Sequence, residues 1–267
     1  MRRLILVFVV VAALAPVAAS AGASPSATSA RTDCAKLRAT MGTTAFAHAY
    51  ATFGACVSRY APVEQQVTVS ATATCTAQQA DPNFAATHDG KTFAQFYGTG
   101  KNGKDAFARC VSTVAQANRQ AEQQGRLNPA RTCRALRTQL TRSVFDQTYG
   151  KNANDRNAFG KCVSTTAKTQ ANNEVSASST CKAEQSDPNF ASTHGQTFDQ
   201  TYGTNADQSN AFGNCVSSTA KAASIANEHA IARAALACKA SKKSDPAAFK
   251  AKYKTFGRCV ATLANSK

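Results

Sequence analysis

Five of the ten cysteines share one signature. Cys56, Cys110, Cys162, Cys215 and Cys259 each have a phenylalanine three residues before them, at Phe53, Phe107, Phe159, Phe212 and Phe256, and a valine immediately after. Further upstream every copy carries Phe-x-x-x-Tyr: Phe46 and Tyr50, Phe93 and Tyr97, Phe145 and Tyr149, Phe198 and Tyr202, Phe249 and Tyr253. Spacings of three and four put side chains on one helical face. The chain therefore reads as five helical units. In the first and fifth units the pattern runs without interruption, as in Phe46, Tyr50, Phe53, Cys56 and Val57, so one continuous helix is expected there. The other three insert seven residues, Gly98 to Lys104, Gly150 to Arg156 and Gly203 to Ser209. Their leading glycines predict a helix end, a loop and a new helix start.

A longer period overlies the short one. Cys56 to Cys162 and Cys75 to Cys181 each span 106 residues, and Cys110 to Cys215 spans 105. Units one and two thus recur as units three and four. The expected fold is all-α, a tandem array of disulfide-stapled helical hairpins in which each piece buries its face against its neighbours. It divides into a first double repeat over 33–127, a second over 128–227 and a terminal basic hairpin over 228–267. Units two and four carry a further insertion, Asp81-Pro82-Asn83-Phe84 through His88 and Asp187-Pro188-Asn189-Phe190 through His194. Asp-Pro there, and at Asp245-Pro246, reads as a helix start.

Apolar content alone would not hold such a chain together. Beyond residue 21, Leu, Ile, Val and Phe make up about 13% of the residues, below the roughly 20% under which disorder is the default. The N-terminus supplies the complement: Met1-Arg2-Arg3, an apolar run from Leu4 to Leu14 and the small residues Ala18-Ala19-Ser20-Ala21 read as a secretory signal peptide over 1–21. Residues 22–32 read as a flexible linker. An even cysteine count behind an export signal implies disulfides in a secreted or extracytoplasmic, cell-envelope protein. Hairpin geometry brings the two cysteines of each unit level. The predicted pairs are Cys34 with Cys56, Cys75 with Cys110, Cys133 with Cys162, Cys181 with Cys215 and Cys238 with Cys259. Cross-unit pairs would join cysteines separated by largely helical segments, with breaks at Pro62 and Asn128-Pro129 weakening that objection.

The string Tyr202-Gly203-Thr204-Asn205 followed by Asn210-Ala211-Phe212-Gly213-Asn214-Cys215-Val216-Ser217 resembles motifs in uncharacterised exported proteins of alanine-rich bacterial proteomes. The resemblance covers nearly the whole chain after the signal peptide. It implies an envelope or extracellular setting and no particular activity.

Catalytic inventories are poor. The four histidines do not cluster, and His88 and His194 read as helix-end residues that bond the last carbonyls. The acids Asp81, Asp146, Asp187, Asp199 and Asp245 fall at caps or on helical faces. The Asn- and Asp-bearing loops, such as Asn152-Ala153-Asn154-Asp155, lack a calcium-loop frame. No metal, cofactor or membrane span is expected, and the chain reads as non-enzymatic. Charge is the remaining signal: 31 Lys and Arg against 15 Asp and Glu give +16. From residue 233 onward Arg233, Lys239, Lys242, Lys243, Lys250, Lys252, Lys254, Arg258 and Lys267 face the single acid Asp245. A second cluster is Arg131, Arg134, Arg137 and Arg142. Such a field attracts anionic envelope or extracellular polymers, while no nucleic-acid fingerprint occurs. The expected function is a structural or binding module that contacts such polymers through the terminal hairpin. The alternatives are a secreted hydrolase with a site near the Asp-Pro-Asn-Phe…His insertions, and a cationic membrane-active protein.

Overall fold

The computed structural model describes residues 25–100, 102–150 and 155–266; the signal peptide read over 1–21, Lys267 and the loop residues Asn152, Ala153 and Asn154 lie outside the described residues. The described residues form helices and no strand. In order these are α1 (Pro25–Met41), α2 (Thr43–Tyr50), α3 (Phe53–Ala80), α4 (Phe84–Thr87), α5 (Phe93–Tyr97), α6 (Ala106–Gly125) and α7 (Pro129–Gln139). They continue as α8 (Arg142–Tyr149), α9 (Ala158–Gln185), α10 (Phe190–His194), α11 (Phe198–Tyr202), α12 (Ala211–Ser244), α13 (Pro246–Tyr253) and α14 (Phe256–Asn265). Residues 25–32, expected as linker, already belong to α1. Pro25 suits a first helical position, and burial of Ala30, Asp33 and Cys34 ties the helix down.

Local signals place most helix ends. Gly98 and Gly203 terminate α5 and α11, their amides donating to Ala94 O and Asp199 O. Asn128 accepts from the amides of Ala130 and Arg131 ahead of Pro129, starting α7. Asp245 caps α13 in the same way through Ala248 N. At Asp81 and Asp187 the carboxylate instead closes a turn onto Asn83 N and Asn189 N, and α4 and α10 start at the following phenylalanine.

Two expectations fail locally. The first and fifth units are not continuous helices. Ala51 and Lys254 adopt φ of 61° and 63°, and Thr52 and Thr255 then cap α3 and α14 through Ala55 N and Arg258 N. The break lets Phe46 and Tyr50 fold back, with Phe46 6.2 Å from Phe53 between ring centroids. Conversely, Pro62 does not end a helix but lies inside α3. Proline forfeits one helical hydrogen bond; burial of Cys56 and Tyr60 on one side and of Val63 and Val67 on the other holds both flanks in line.

The bridges are Cys34–Cys56, Cys75–Cys110, Cys133–Cys162, Cys181–Cys215 and Cys238–Cys259, the pairs expected from the spacing, with Cα separations of 5.9 to 6.0 Å. All ten cysteines are fully buried. In the chain-entropy picture a loop of this length contributes about 3 to 4 kcal/mol.

The cores, however, do not follow the order of the units. One core joins Val67, Cys75, Phe93 and Val114 of unit two with Cys181, Phe198, Phe212 and Val216 of unit four. A second joins Leu136, Phe145 and Cys162 of unit three with Cys238, Phe249 and Cys259 of unit five. A third packs unit one, with Cys34, Phe46 and Tyr60, onto Ala167 and Ala171 of α9. Continuity of the long helices explains this. The 34 residues of α12 rise about 50 Å at 1.5 Å per residue, enough to serve two cores, and α9 contributes to all three. α3 packs on α6 and α9, and α12 packs on the same two, so these four close a ring. The segment boundary read at 227/228 falls inside α12, and the double repeats interlock instead of standing in line. Helix crossings are close: a Cβ on Gly213 of α12 would stand 2.0 Å from Asn118 O on α6, and Gly213 N donates to Asn118 Oδ1 at 2.8 Å.

Candidate polyanion-binding groove and a buried charge cluster

All eight basic residues singled out in the terminal segment, Arg233, Lys239, Lys242, Lys243, Lys250, Lys252, Lys254 and Arg258, are exposed. The fold sorts them. Lys239, Lys242 and Lys243, from the last turns of α12, line a groove with Thr141, Ser143, Val144 and Gln147 of the α7–α8 region and Phe256 of α14. Lys242 and Lys243 stand at a helix C-terminus, where the dipole favours cations. Lys242 Nζ also donates to Gln147 Oε1 at 3.2 Å. Among the described residues no acid lines this stretch. The next stretch adds Arg258 of α14 and one acid, Asp155. Arg233, Lys250, Lys252 and Lys254 lie outside the groove lining, and Lys252 rests over its neighbour Tyr253. The second cluster, Arg131, Arg134, Arg137 and Arg142, is also exposed and sits on α7 and α8, which share a core with α13 and α14. The sequence shows two basic clusters about 100 residues apart; one core carries both.

The hydrolase alternative rested on His88 and His194. Each ring stacks on the phenylalanine four residues earlier, at 3.7 and 4.0 Å between centroids. Each Nδ1 faces that phenylalanine's carbonyl, at 2.8 and 3.0 Å, and the preceding threonine hydroxyl at 2.9 Å. These are helix-end roles. In the loops, Asp105 accepts from Thr99 N and Oγ1, and Asn210 accepts from Thr204 N, closing turns.

Sequence reasoning missed a group of buried charges. Asp33 of α1, Glu64 of α3, Glu122 of α6 and Glu174 of α9 are all at most 5% exposed, and Asp33, Glu122 and Glu174 surround Arg126, which follows α6. Arg126 pairs with Glu174 at 2.9 Å, with Asp33 at 3.4 Å and with Glu122, and its guanidinium lies 4.2 Å from the centre of the Tyr60 ring. Glu64 faces Arg119 at 3.7 Å. Gln123 also donates to Asp33. Burial, then the neighbouring Asp33 carboxyl, pushes Glu64 up to about 9. Burial likewise pushes Glu174 up to about 8 against the pull of Arg126. Arg126 and Arg119 bring the positive charge that a buried group of acids requires. Among the described residues no group of three His, Cys, Asp or Glu is placed to hold a metal ion. A signal existed: Glu64 follows Tyr60 by four and precedes Val67 by three, an acid in register with a buried stripe.

No described helix is long and apolar enough to cross a membrane. Comparison with protein-family models, with curated proteins and with solved structures finds no match.

Proposed function

We propose that this chain is an exported, non-enzymatic binding module that holds anionic envelope or extracellular polymers in the basic groove between α8 and the α12–α14 segment. The observation that carries the reading is the convergence of Lys239, Lys242 and Lys243 on a stretch lined by hydroxyl, amide and apolar groups and, among the described residues, by no acid. A row of cations without an interleaved anion concentrates polyanions by long-range attraction. The five buried disulfides support an oxidising compartment, in keeping with export. Retention on immobilised inorganic polyphosphate across a salt series tests it. Screening shortens to about 3 Å at 1 M ionic strength, so binding should be strong at low salt and lost at high salt. Salt-indifferent retention, or none at low salt, contradicts the proposal.

A further inference from the structure

The basic groove does not end at Lys242. Its first stretch shares Gln147, Lys242 and Phe256 with the second, and the second shares Thr148, Gly257 and Ala261 with a third that runs between α9, α12 and α14. This third stretch encloses about 390 Å³, within the size of small-molecule sites. One wall is apolar, with Ile231 of α12 and Val260, Ala261 and Ala264 of α14; the other presents Lys161, Thr165 and Thr169 at helical spacing along α9. The small side chains of Gly257, Ala261 and Ala264 leave the room. Tyr149 also lines it, and its hydroxyl is buried without a hydrogen-bond partner although the residue is only 8% exposed. A buried donor of that kind is destabilising unless something accepts from it.

We infer that the groove takes an anionic amphiphile, a single acyl chain bearing a phosphate head, with the head on Lys239, Lys242 and Lys243 and the chain between α9, α12 and α14. This rests on the reading of the basic stretch as a polyanion site and adds the tail. A bare chain of phosphates would leave the apolar stretch unused. An acyl ester matches both ends, its methylenes against Ile231, Val260 and Ala264 and its carbonyl oxygen accepting from Tyr149. Each buried methylene is worth about 0.8 kcal/mol, so a tail displaced by two methylenes already weakens binding by more than about tenfold.

Binding of lysophosphatidylglycerol, held below its micelle-forming concentration, is measured beside binding of inorganic polyphosphate. Thr165→Phe, on the exposed side of α9 and lining the third stretch alone, should weaken the lysolipid by about tenfold or more and leave polyphosphate within about twofold. Ala264→Phe is the second occluding variant should the first unfold. Lysolipid binding untouched by either variant, with polyphosphate still bound, overturns the amphiphile and leaves the polyanion reading. Equal loss of both ligands in a variant that melts normally overturns the division into head and tail sites. Failure of the native chain to bind either ligand overturns both readings.

Discussion

Replacing Glu64 with glutamine should stabilise the protein at neutral pH and flatten the decline of stability as pH rises. The carboxyl is fully buried, lies beside Asp33 and Glu122, and is pushed up to about 9 from an ordinary value of 4.5. Between those two values the native state keeps a proton that the unfolded chain releases. Stability therefore falls with rising pH, by about 1.4 kcal/mol per pH unit for one retained proton. Glu174, pushed up to about 8, retains a second proton over most of the window, so the native chain's loss of stability between pH 5 and 7 should be steeper still. Glutamine preserves the shape and removes the Glu64 share, cutting the slope by about 1.4 kcal/mol per unit. The two proteins should nearly coincide at pH 5 and differ by about 3 kcal/mol at pH 7. Urea unfolding followed by circular dichroism at pH 5, 6, 7 and 8, with the disulfides intact, measures this directly. Parallel pH profiles for the two proteins would refute the claim that Glu64 is held protonated, as would a native stability that rises from pH 5 to 7.

Other perturbations test the packing. Gly213→Ala should destabilise by at least about 1 to 3 kcal/mol, because the new methyl would overlap Asn118 O across the α6–α12 crossing; an unchanged thermal midpoint would argue against that contact. Removing one bridge with Cys75→Ala and Cys110→Ala should cost about 3 to 4 kcal/mol. Because units two and four share a core, hydrogen exchange in that variant should rise in unit four, around α11 and the start of α12, as well as in unit two. Loss of protection confined to units one to three would instead favour a linear array.

What was legible in the sequence divides along physical lines. The bridges could be read because hairpin geometry within a unit leaves few cysteines level with one another, and the glycine caps at Gly98 and Gly203 because they act locally. The breaks at Ala51 and Lys254 were hidden because Phe46, Tyr50, Phe53 and Cys56 keep a helical register across them; the usable clue was the threonine before Phe53 and Phe256. Pro62 misled in the opposite sense, since tertiary burial on both flanks outweighs one lost hydrogen bond. The partnership of unit two with unit four was not legible, because periodicity within a unit marks a buried face without saying what covers it. The cations of the groove's basic stretch, Lys239, Lys242 and Lys243, were all identified by sequence. The division of the terminal basic residues into Lys239, Lys242 and Lys243 inside it and Arg233, Lys250, Lys252 and Lys254 outside depends on where α8 crosses α12.

The central claim is that local placement of charge, not the total of +16, makes the binding face. Two variants of equal net charge separate these: Lys239→Gln, Lys242→Gln and Lys243→Gln in the groove, against Lys91→Gln, Lys104→Gln and Lys182→Gln, which are exposed elsewhere. Calorimetric titration with inorganic polyphosphate at fixed low salt should show the groove variant weakened by about tenfold or more, the equivalent of 1.4 kcal/mol, and the control close to the native chain. Equal weakening of the two variants would contradict the account.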